Sequence, residues 1–511
     1  MTSTAPASAG GSGARLVANS RWNLIAFACT LAANLITVPF VVRWIGVAEF
    51  GRAGIVLAVT APLTLIGSVL GQAVTREVSA RLANSDASGA AECFGAALRL
   101  CAVVGVIAAA ALITAGPWLT AGLLGEQHGA TDLLALFALA ACGWFGQQLT
   151  LVFQGNQMAH QDFRTVARMA MISAVLTVIA TLALTAALPT AIGYLAGVAA
   201  AFGSTLVGWF WTARHDPPRL TIAGPSHARA LLRFGKWQGV AQLAGALSNQ
   251  VDRYALGAFA TTSAVGQFNI ANRLQEAVYI GVVKAGEVLF PHFGRIAGRP
   301  AAEQAAEFHA ASWVVGVFSA AALAPMIPLA ASILDLWIGP QAGGDAPTLL
   351  RTLIFGGIVG CGSNVFTYYA MGTGRIRPLA WISVMYSVIT VVLSIALIRV
   401  YGAAAAGVGL LVASFFRVAA ALIVARRDFF PDAHLEELLV GAVLPVAAGT
   451  AVAWLLYAAG MGAASWPSLA AQYAAGASAV VIVACGASSF APSGRQIMRS
   501  AVAAIRRRAP G

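Results

Sequence analysis

The sequence predicts an all-α, polytopic membrane protein of about 14 transmembrane helices, two pseudo-symmetric six-helix lobes plus two C-terminal helices. Three observations carry this. Of 511 residues, 59% are hydrophobic and 10% charged, against about 25% charged in ordinary soluble domains. Apolar runs of about 20 residues, the length that crosses a bilayer, recur along the whole chain. An offset of about 215 residues also aligns the first of these runs with the seventh.

Met1–Ala14 is rich in Ala, Ser and Gly and is expected to be disordered, part of a tail over 1–20. It does not read as a signal peptide: no basic residue precedes Arg15, and the run Asn23–Val42 is too long for an h-region. Runs at 53–74, 94–115, 132–153, 166–187 and 191–212 complete an N-lobe over 21–213. A polar break at 214–232, holding Pro217-Pro218, is the linker. The C-lobe, 233–427, opens with segments 236–259 and 265–290 joined by the turn Ala260–Ala264. It continues with runs at 309–333, 348–371, 380–398 and 403–425. Runs at 438–460 and 470–490 supply the last two helices (428–490), and 491–511 is a basic tail.

Basic residues fix an orientation. One set of loops holds Arg15, Arg21, Arg76, Arg81, Arg164, Arg168, Arg214, Arg229, Lys236, Arg295, Arg375, Arg426 and Arg506–Arg508; the opposite set holds Arg43, Arg52, Arg351 and Arg399. By the positive-inside rule both termini are cytoplasmic. The net charge of +12 is then a topology signal that also meets anionic lipid, and no nucleic-acid partner is expected. The six cysteines lie mostly in apolar runs without a CxxC pair and read as small buried hydrophobes. There is no HExxH, P-loop or GxSxG, and the outward loops are too short for a catalytic domain. No enzyme activity, metal or cofactor is expected.

The hairpin 236–290 concentrates the intramembrane polarity. At about 100° per residue, Asn269, Arg273, Glu276, Lys284 and Glu287 fall within about 80° on one helix face. Gln238, Gln242, Gly245, Asn249 and Asp252 do the same on the preceding helix. Ionisable groups inside a span are costly and face a bundle interior or a wet cavity, so two facing polar stripes predict a polar cavity. Asp252 and Arg273, nearly equidistant from the turn, are placed to pair across it.

The repeat extends this to the first helix. Arg21-Trp22-Asn23 matches Lys236-Trp237-Gln238, Asn34 matches Asn249 and Gly51 matches Gly266. The stripe maps onto Asn23, Phe27, Thr30, Asn34 and Thr37, whereas the positions matching Arg273, Glu276 and Lys284 are Ala58, Ala61 and Val69. Two six-helix halves in parallel register form a common transporter plan, with the site where the repeats meet. The candidate substrate-binding residues are therefore Arg273, Lys284, Asn249, Asn34, Gln242 and Asn269. Without a nucleotide site, an ion gradient is the expected energy source and a carboxylate its binding group. Glu276 is the first candidate and Asp252 the second, with H+ or Na+ as the ion.

The segment Val41-Val42-Arg43-Trp44-Ile45-Gly46-Val47-Ala48-Glu49-Phe50-Gly51 resembles the first loop of Wzx-type polysaccharide flippases, in the multidrug/oligosaccharidyl-lipid/polysaccharide exporter superfamily. Asp252-Arg253-Tyr254-Ala255-Leu256-Gly257 with Val265-Gly266-Gln267-Phe268 is similar to that family's second copy of the loop, Phe268 standing where a Tyr is usual. Phe290-Pro291 and the stretch Tyr401–Gly407 also fit. The resemblance implies a two-lobed helical bundle in a bacterial inner membrane, moving an undecaprenyl-pyrophosphate-linked oligosaccharide between leaflets by alternating access. It implies lipid-linked oligosaccharide and membrane lipids as partners, with polymerase and chain-length components of the glycan pathway beside them. It supplies no catalytic signature and certifies no site residue. Two other readings remain: a drug or small-metabolite cation antiporter of the same superfamily, and a membrane glycan polymerase or ligase, which would typically carry a large outward loop.

Overall fold

The computed structural model describes residues 10–124, 130–213, 245–246, 248–490 and 492–508. They form two compact helical units, Met1–Ala246 and Leu247–Gly511. The expected linker 214–232 lies outside the described residues.

In the first unit α1 (Gly10–Thr60) carries an interior break at Gly46, whose φ of 80° and ψ of 164° suit a residue without a Cβ. A short 3₁₀ turn, Ala61–Thr64, leads into α2 (Leu65–Ala83). Then come α3 (Ala87–Leu124), α4 (Ala130–Ala159), α5 (Phe163–Ala187) and α6 (Ala191–Thr212). Asp162 caps α5 by accepting from the Thr165 amide, and Thr190 caps α6 by accepting from Gly193. Glu49, in the helical segment that resumes after Gly46, accepts from the Ala191 amide at 2.9 Å and from Arg52 at 2.6 Å. Gly10–Ser20 is helical and continuous with the first span, where composition predicts disorder. Ala and Arg are good helix formers, and extending an existing helix avoids the cost of nucleation.

The second unit starts with α7 (Val251–Phe259) and α8 (Thr262–Gly286), whose cap Thr261 accepts from the Ala264 amide. The turn is therefore shorter than the expected Ala260–Ala264. Then follow α9 (Leu289–Ile296), α10 (Ala301–Leu323), α11 (Met326–Trp337), α12 (Ala346–Cys361) and α13 (Asn364–Gly372). α14 (Ile376–Tyr401) and α15 (Val408–Val424) come next, then α16 (Leu435–Ala458), α17 (Trp466–Phe490) and α18 (Pro492–Arg508). π-helical turns occupy Ala425–Phe429 and Leu439–Val443. The basic tail 491–511 is thus largely the helix α18, seated on α10 through the buried Ile497 and Ala501.

Eleven helices among the described residues are long and apolar enough to cross a membrane, with Met326–Trp337 a shorter apolar helix. One of the eleven, Ile25–Ala83, is 59 residues long and covers two expected runs. The chain is an all-helical, multi-pass membrane protein. Large apolar side chains point outward on the spans, Ile107, Ile179, Val207 and Ile482 among them, as lipid contact requires. α8 has 25 residues, enough to cross, yet is missing from the apolar set because its residues are too polar.

Helix starts recur about 215 residues on: Ala87, Ala130 and Phe163 have counterparts at Ala301, Ala346 and Ile376. The packing pairs recur too. α1–α5, α2–α4, α4–α6 and α5–α6 in the first unit correspond to α7–α14, α8–α12, α12–α15 and α14–α15 in the second. With little hydrophobic drive between helices in lipid, small residues set the approach. A Cβ on Gly155 of α4 would lie 2.3 Å from the Gly71 carbonyl oxygen of α2, so the backbones touch there. Thr75 fixes the same crossing by donating to the Gly155 carbonyl at 2.9 Å.

Candidate functional site

The polar residues of the second unit gather where α7, α8, α12, α14 and α15 meet. Asn269 is buried, one turn before the half-buried Arg273 on α8. Its Oδ1 accepts from Arg253 Nε at 2.5 Å, while its Nδ2 is buried without a hydrogen-bond partner among the described residues. Arg253 also donates to Gln250 Oε1 at 2.6 Å and to the Asn249 carbonyl at 3.3 Å, and its guanidinium lies 5.6 Å from the centre of the Phe268 ring. The charges of Arg273 and Glu276 both act on Arg253. The result is a compact group of two guanidiniums, a carboxylate and an orphaned amide on two adjoining helices.

Asp252 does not pair with Arg273. Its side chain is buried and turns to the other side of α7, where Oδ1 accepts from the Gly407 amide at 3.4 Å at the start of α15. Ser394 of α14, also buried, lies beside the same carboxylate, with its Oγ making no hydrogen bond among the described residues. The reason is helical phase: one residue along rotates the side chain by about 100°, so Arg253 rather than Asp252 projects toward α8. Nearby, Ser248 Oγ donates to Ser387 Oγ at 3.2 Å, which keeps this segment on α14.

Glu276, the first candidate carboxylate, is exposed on α8, whereas Asp252, the second, is buried. Lys284 donates to both carboxylate oxygens of Glu287, at 2.8 and 3.0 Å, and this pair is half-exposed at the end of α8 away from the turn. Asn249 is exposed. Asn34 lies in the first unit, half-buried, and donates to the Thr30 carbonyl at 2.9 Å. Gln242 lies outside the described residues. The structure thus brings together Asn249, Asn269, Arg273 and Glu276, and sets Lys284 and Asp252 apart from them.

Arg417 joins the site from α15. It lies midway between Val408 and Arg426, about 13 Å from each at about 1.5 Å rise per residue. It is half-buried, donates to Thr367 Oγ1 at 3.3 Å, and its guanidinium sits 5.5 Å from the centre of the Tyr386 ring. Tyr279 of α8 and Cys361 of α12 feel its charge. Tyr386 of α14 lies within electrostatic reach of both Arg417 and Asp252. Counting back from Arg426 gives this depth from the sequence alone; the aromatic and hydroxyl partners lie on other helices. Among the described residues no group of three or more His, Cys, Asp or Glu is placed to hold a metal.

Residues 16–297 match the family described as polysaccharide biosynthesis protein. The chain belongs to that family. No curated protein matches the sequence. In fold, this polysaccharide biosynthesis family member is similar to a lipid II flippase, MurJ, in an inward closed conformation: TM-score 0.71, 12% identity, over 91% of this chain and 98% of that one. It is also similar to an inward-facing multidrug resistance MATE family transporter of the MOP superfamily, with TM-score 0.69 and 14% identity, over 80% and 96%. A third likeness is a MOP superfamily transporter from Pyrococcus furiosus, with TM-score 0.58 and 14% identity over 83% and 96%. At these identities the likeness establishes the fold that the family member shares.

Proposed function

We propose that this protein is a flippase that moves an undecaprenyl-pyrophosphate-linked oligosaccharide across a bacterial inner membrane by alternating access, with both termini cytoplasmic. Membership of the polysaccharide biosynthesis family supports the substrate class. The observation that carries the reading is the polar group of the second unit where Arg253 and Arg273 accompany the buried amide of Asn269, with Arg417 of α15 a further cation beside Thr367 and Tyr386. Guanidiniums hold pyrophosphate oxygens through paired N–H donors, and amides and tyrosines serve sugar hydroxyls. The lipid tail stays in the bilayer throughout. Arg273 is the main anion anchor in this scheme. Asn249, Asn269, Asn34 and Gln242 serve the glycan. Lys284, engaged with Glu287, meets the substrate at the cytoplasmic mouth.

The ion-coupling role goes to Asp252 ahead of Glu276. A buried carboxylate with no cation within ion-pair distance among the described residues is costly when ionised. Taking up H+ or Na+ relieves that cost, and Ser394 supplies a further oxygen beside it. The bond from Gly407 and the contact with Ser394 tie the occupancy of this site to α14 and α15. Polymerase and chain-length components are the expected neighbours in the same pathway.

The test is transport by the purified protein in proteoliposomes, using a fluorescent undecaprenyl-pyrophosphate oligosaccharide and a membrane-impermeant glycosidase. Protein-dependent loss of protection for the glycan-bearing lipid supports the flippase. Transport of cationic drugs without any movement of the lipid-linked glycan replaces it with the antiporter reading.

A further inference from the structure

We propose that the first unit carries an uncharged sugar-binding face, built from Ser68 and Gln72 of α2 and Gln147 and Gln154 of α4. The inference rests on the flippase reading above. It assigns neutral sugars of the glycan their own residues, apart from the arginines of the second unit.

Helix phase brings the four residues to one face. α2 and α4 run in the same direction: Gly67 meets Gln148, and Gly71 meets Gly155 further along both helices. Ser68 and Gln72 each follow one of these contact glycines, which turns them about 100° from the contact line. Gln147 and Gln154 each precede a contact residue of α4, which turns them about 100° the other way. For two parallel helices side by side, these opposite rotations point to the same side of the pair. Ser68 then lies level with Gln147, and Gln72 with Gln154. Gln72 Nε2 also donates to Ser68 Oγ at 3.4 Å.

These side chains are within reach of a ligand. Gln148, on the contact line, is fully buried and accepts from the Gly67 amide at 2.7 Å, so it serves the packing. Gln147 and Gln154 are half-buried, and their side-chain amides make no hydrogen bond among the described residues, yet neither is shut off from solvent. Gln72 is exposed.

The open side of the pair is wet. Large apolar side chains stand exposed on α3, α5 and α6, among them Ile107, Ile179 and Val207; among the described residues α2 has none, and α4 has only Leu134, near its start. Polar groups within a span that do not meet lipid face a bundle interior or a water-filled cavity. The packing of α2 on α4 corresponds to that of α8 on α12, and α8 carries Asn269 and Arg273. Equivalent helices of the two units thus present different chemistry. No acidic or basic residue lies between Asp132 and His160 on α4, and none on α2 before Arg76, which marks the cytoplasmic edge. A primary amide offers two donors and an acceptor without charge, a match for sugar hydroxyls and N-acetyl groups.

Binding to the purified full-length protein in a maltoside detergent, read by microscale thermophoresis, tests this. The probes are undecaprenyl pyrophosphate and the same lipid carrying a neutral, N-acetylglucosamine-containing tetrasaccharide. Wild type should bind the glycosylated lipid about tenfold tighter than the bare one, the effect of a few hydrogen bonds. The double variant Gln147→Leu, Gln154→Leu should lose that preference and keep its affinity for the bare lipid. Gln72→Leu, at an exposed position, is the second variant and should lose about threefold of the preference. Arg273→Gln should weaken both lipids alike. Equal affinity of wild type for the two lipids, a wild-type preference in both glutamine variants, or a parallel loss of both lipids in them overturns the inference and leaves the flippase reading standing. A wild type that binds neither lipid removes the flippase reading, and this inference with it.

Discussion

Arg253 Nε donates to Asn269 Oδ1 at 2.5 Å, so α7 and α8 are tied by the arginine that follows Asp252, not by Asp252 itself. Once Arg253 takes the face toward α8, Asp252 takes the face toward α14 and α15. The cation group and the buried carboxylate then lie on opposite sides of one short helix. One short helix thus carries a cation toward α8 and a buried carboxylate toward α14 and α15, each still within electrostatic reach of the other.

The tie itself is measurable. A double-mutant cycle with Arg253→Met and Asn269→Leu should give a coupling of about 1.5–3 kcal/mol, the range for a hydrogen bond to a charged group. Unfolding of the purified protein in detergent by denaturant titration reads it. A coupling near zero would mean that the bond contributes nothing in solution.

Asp252 and Glu276 separate by gradient response. Asp252→Asn should abolish acceleration of lipid-linked glycan transport by an imposed pH or sodium gradient while leaving binding of the substrate intact. Glu276→Gln should lower transport less than tenfold and keep the gradient response, because its carboxylate is not enclosed by neighbouring helices as that of Asp252 is. A gradient response retained by Asp252→Asn and lost by Glu276→Gln reverses the assignment.

Arg417 and Lys284 should differ sharply. Arg417→Lys keeps a positive charge but loses the planar stacking on Tyr386 and the reach to Thr367, and transport should fall at least about tenfold. Lys284→Ala breaks a half-exposed pair with Glu287, worth at most about 1 kcal/mol, and transport should fall less than about threefold. Initial rates in proteoliposomes normalised to inserted protein decide it, and equal losses would place both residues in the same role.

The first unit offers a test of packing alone. Gly155→Ala puts a methyl against the Gly71 carbonyl of α2, and forcing the helices apart should cost about 1–3 kcal/mol. Ser or Thr at the same place should be worse, and Gly155→Ala should be no worse in the presence of Thr75→Val than expected from two independent losses. Denaturant midpoints of the four proteins check this.

Much of the fold is legible in the residues, because twenty-residue apolar runs and alternating loop charges are local signals. The hairpin's polar stripes are legible for the same reason, and Asn269 and Arg273 fall where the 100° step puts them. The partners of Asp252 are not. Gly407 and Ser394 lie more than a hundred residues away, and no spacing rule links them to α7. The separation of Lys284 from Asn269 and Arg273 is not legible either, because a face is a direction and not a depth; Glu287, three residues on, pairs with it within the same helix. His309 reads as one more scattered histidine until α16 and α18 close around it.

The π turn at Leu439–Val443 fixes the angular phase of what precedes it. A π turn holds one residue beyond the α count, and one residue is about 100° of rotation. Removing a single residue there would leave an unbroken apolar span with the same composition. It would also swing Glu436 and Glu437 away from Ser493 and His309 together. The extra residue therefore acts as a phase setting: chain length at this one position decides whether Glu436 meets Ser493 of the last helix and Glu437 meets His309.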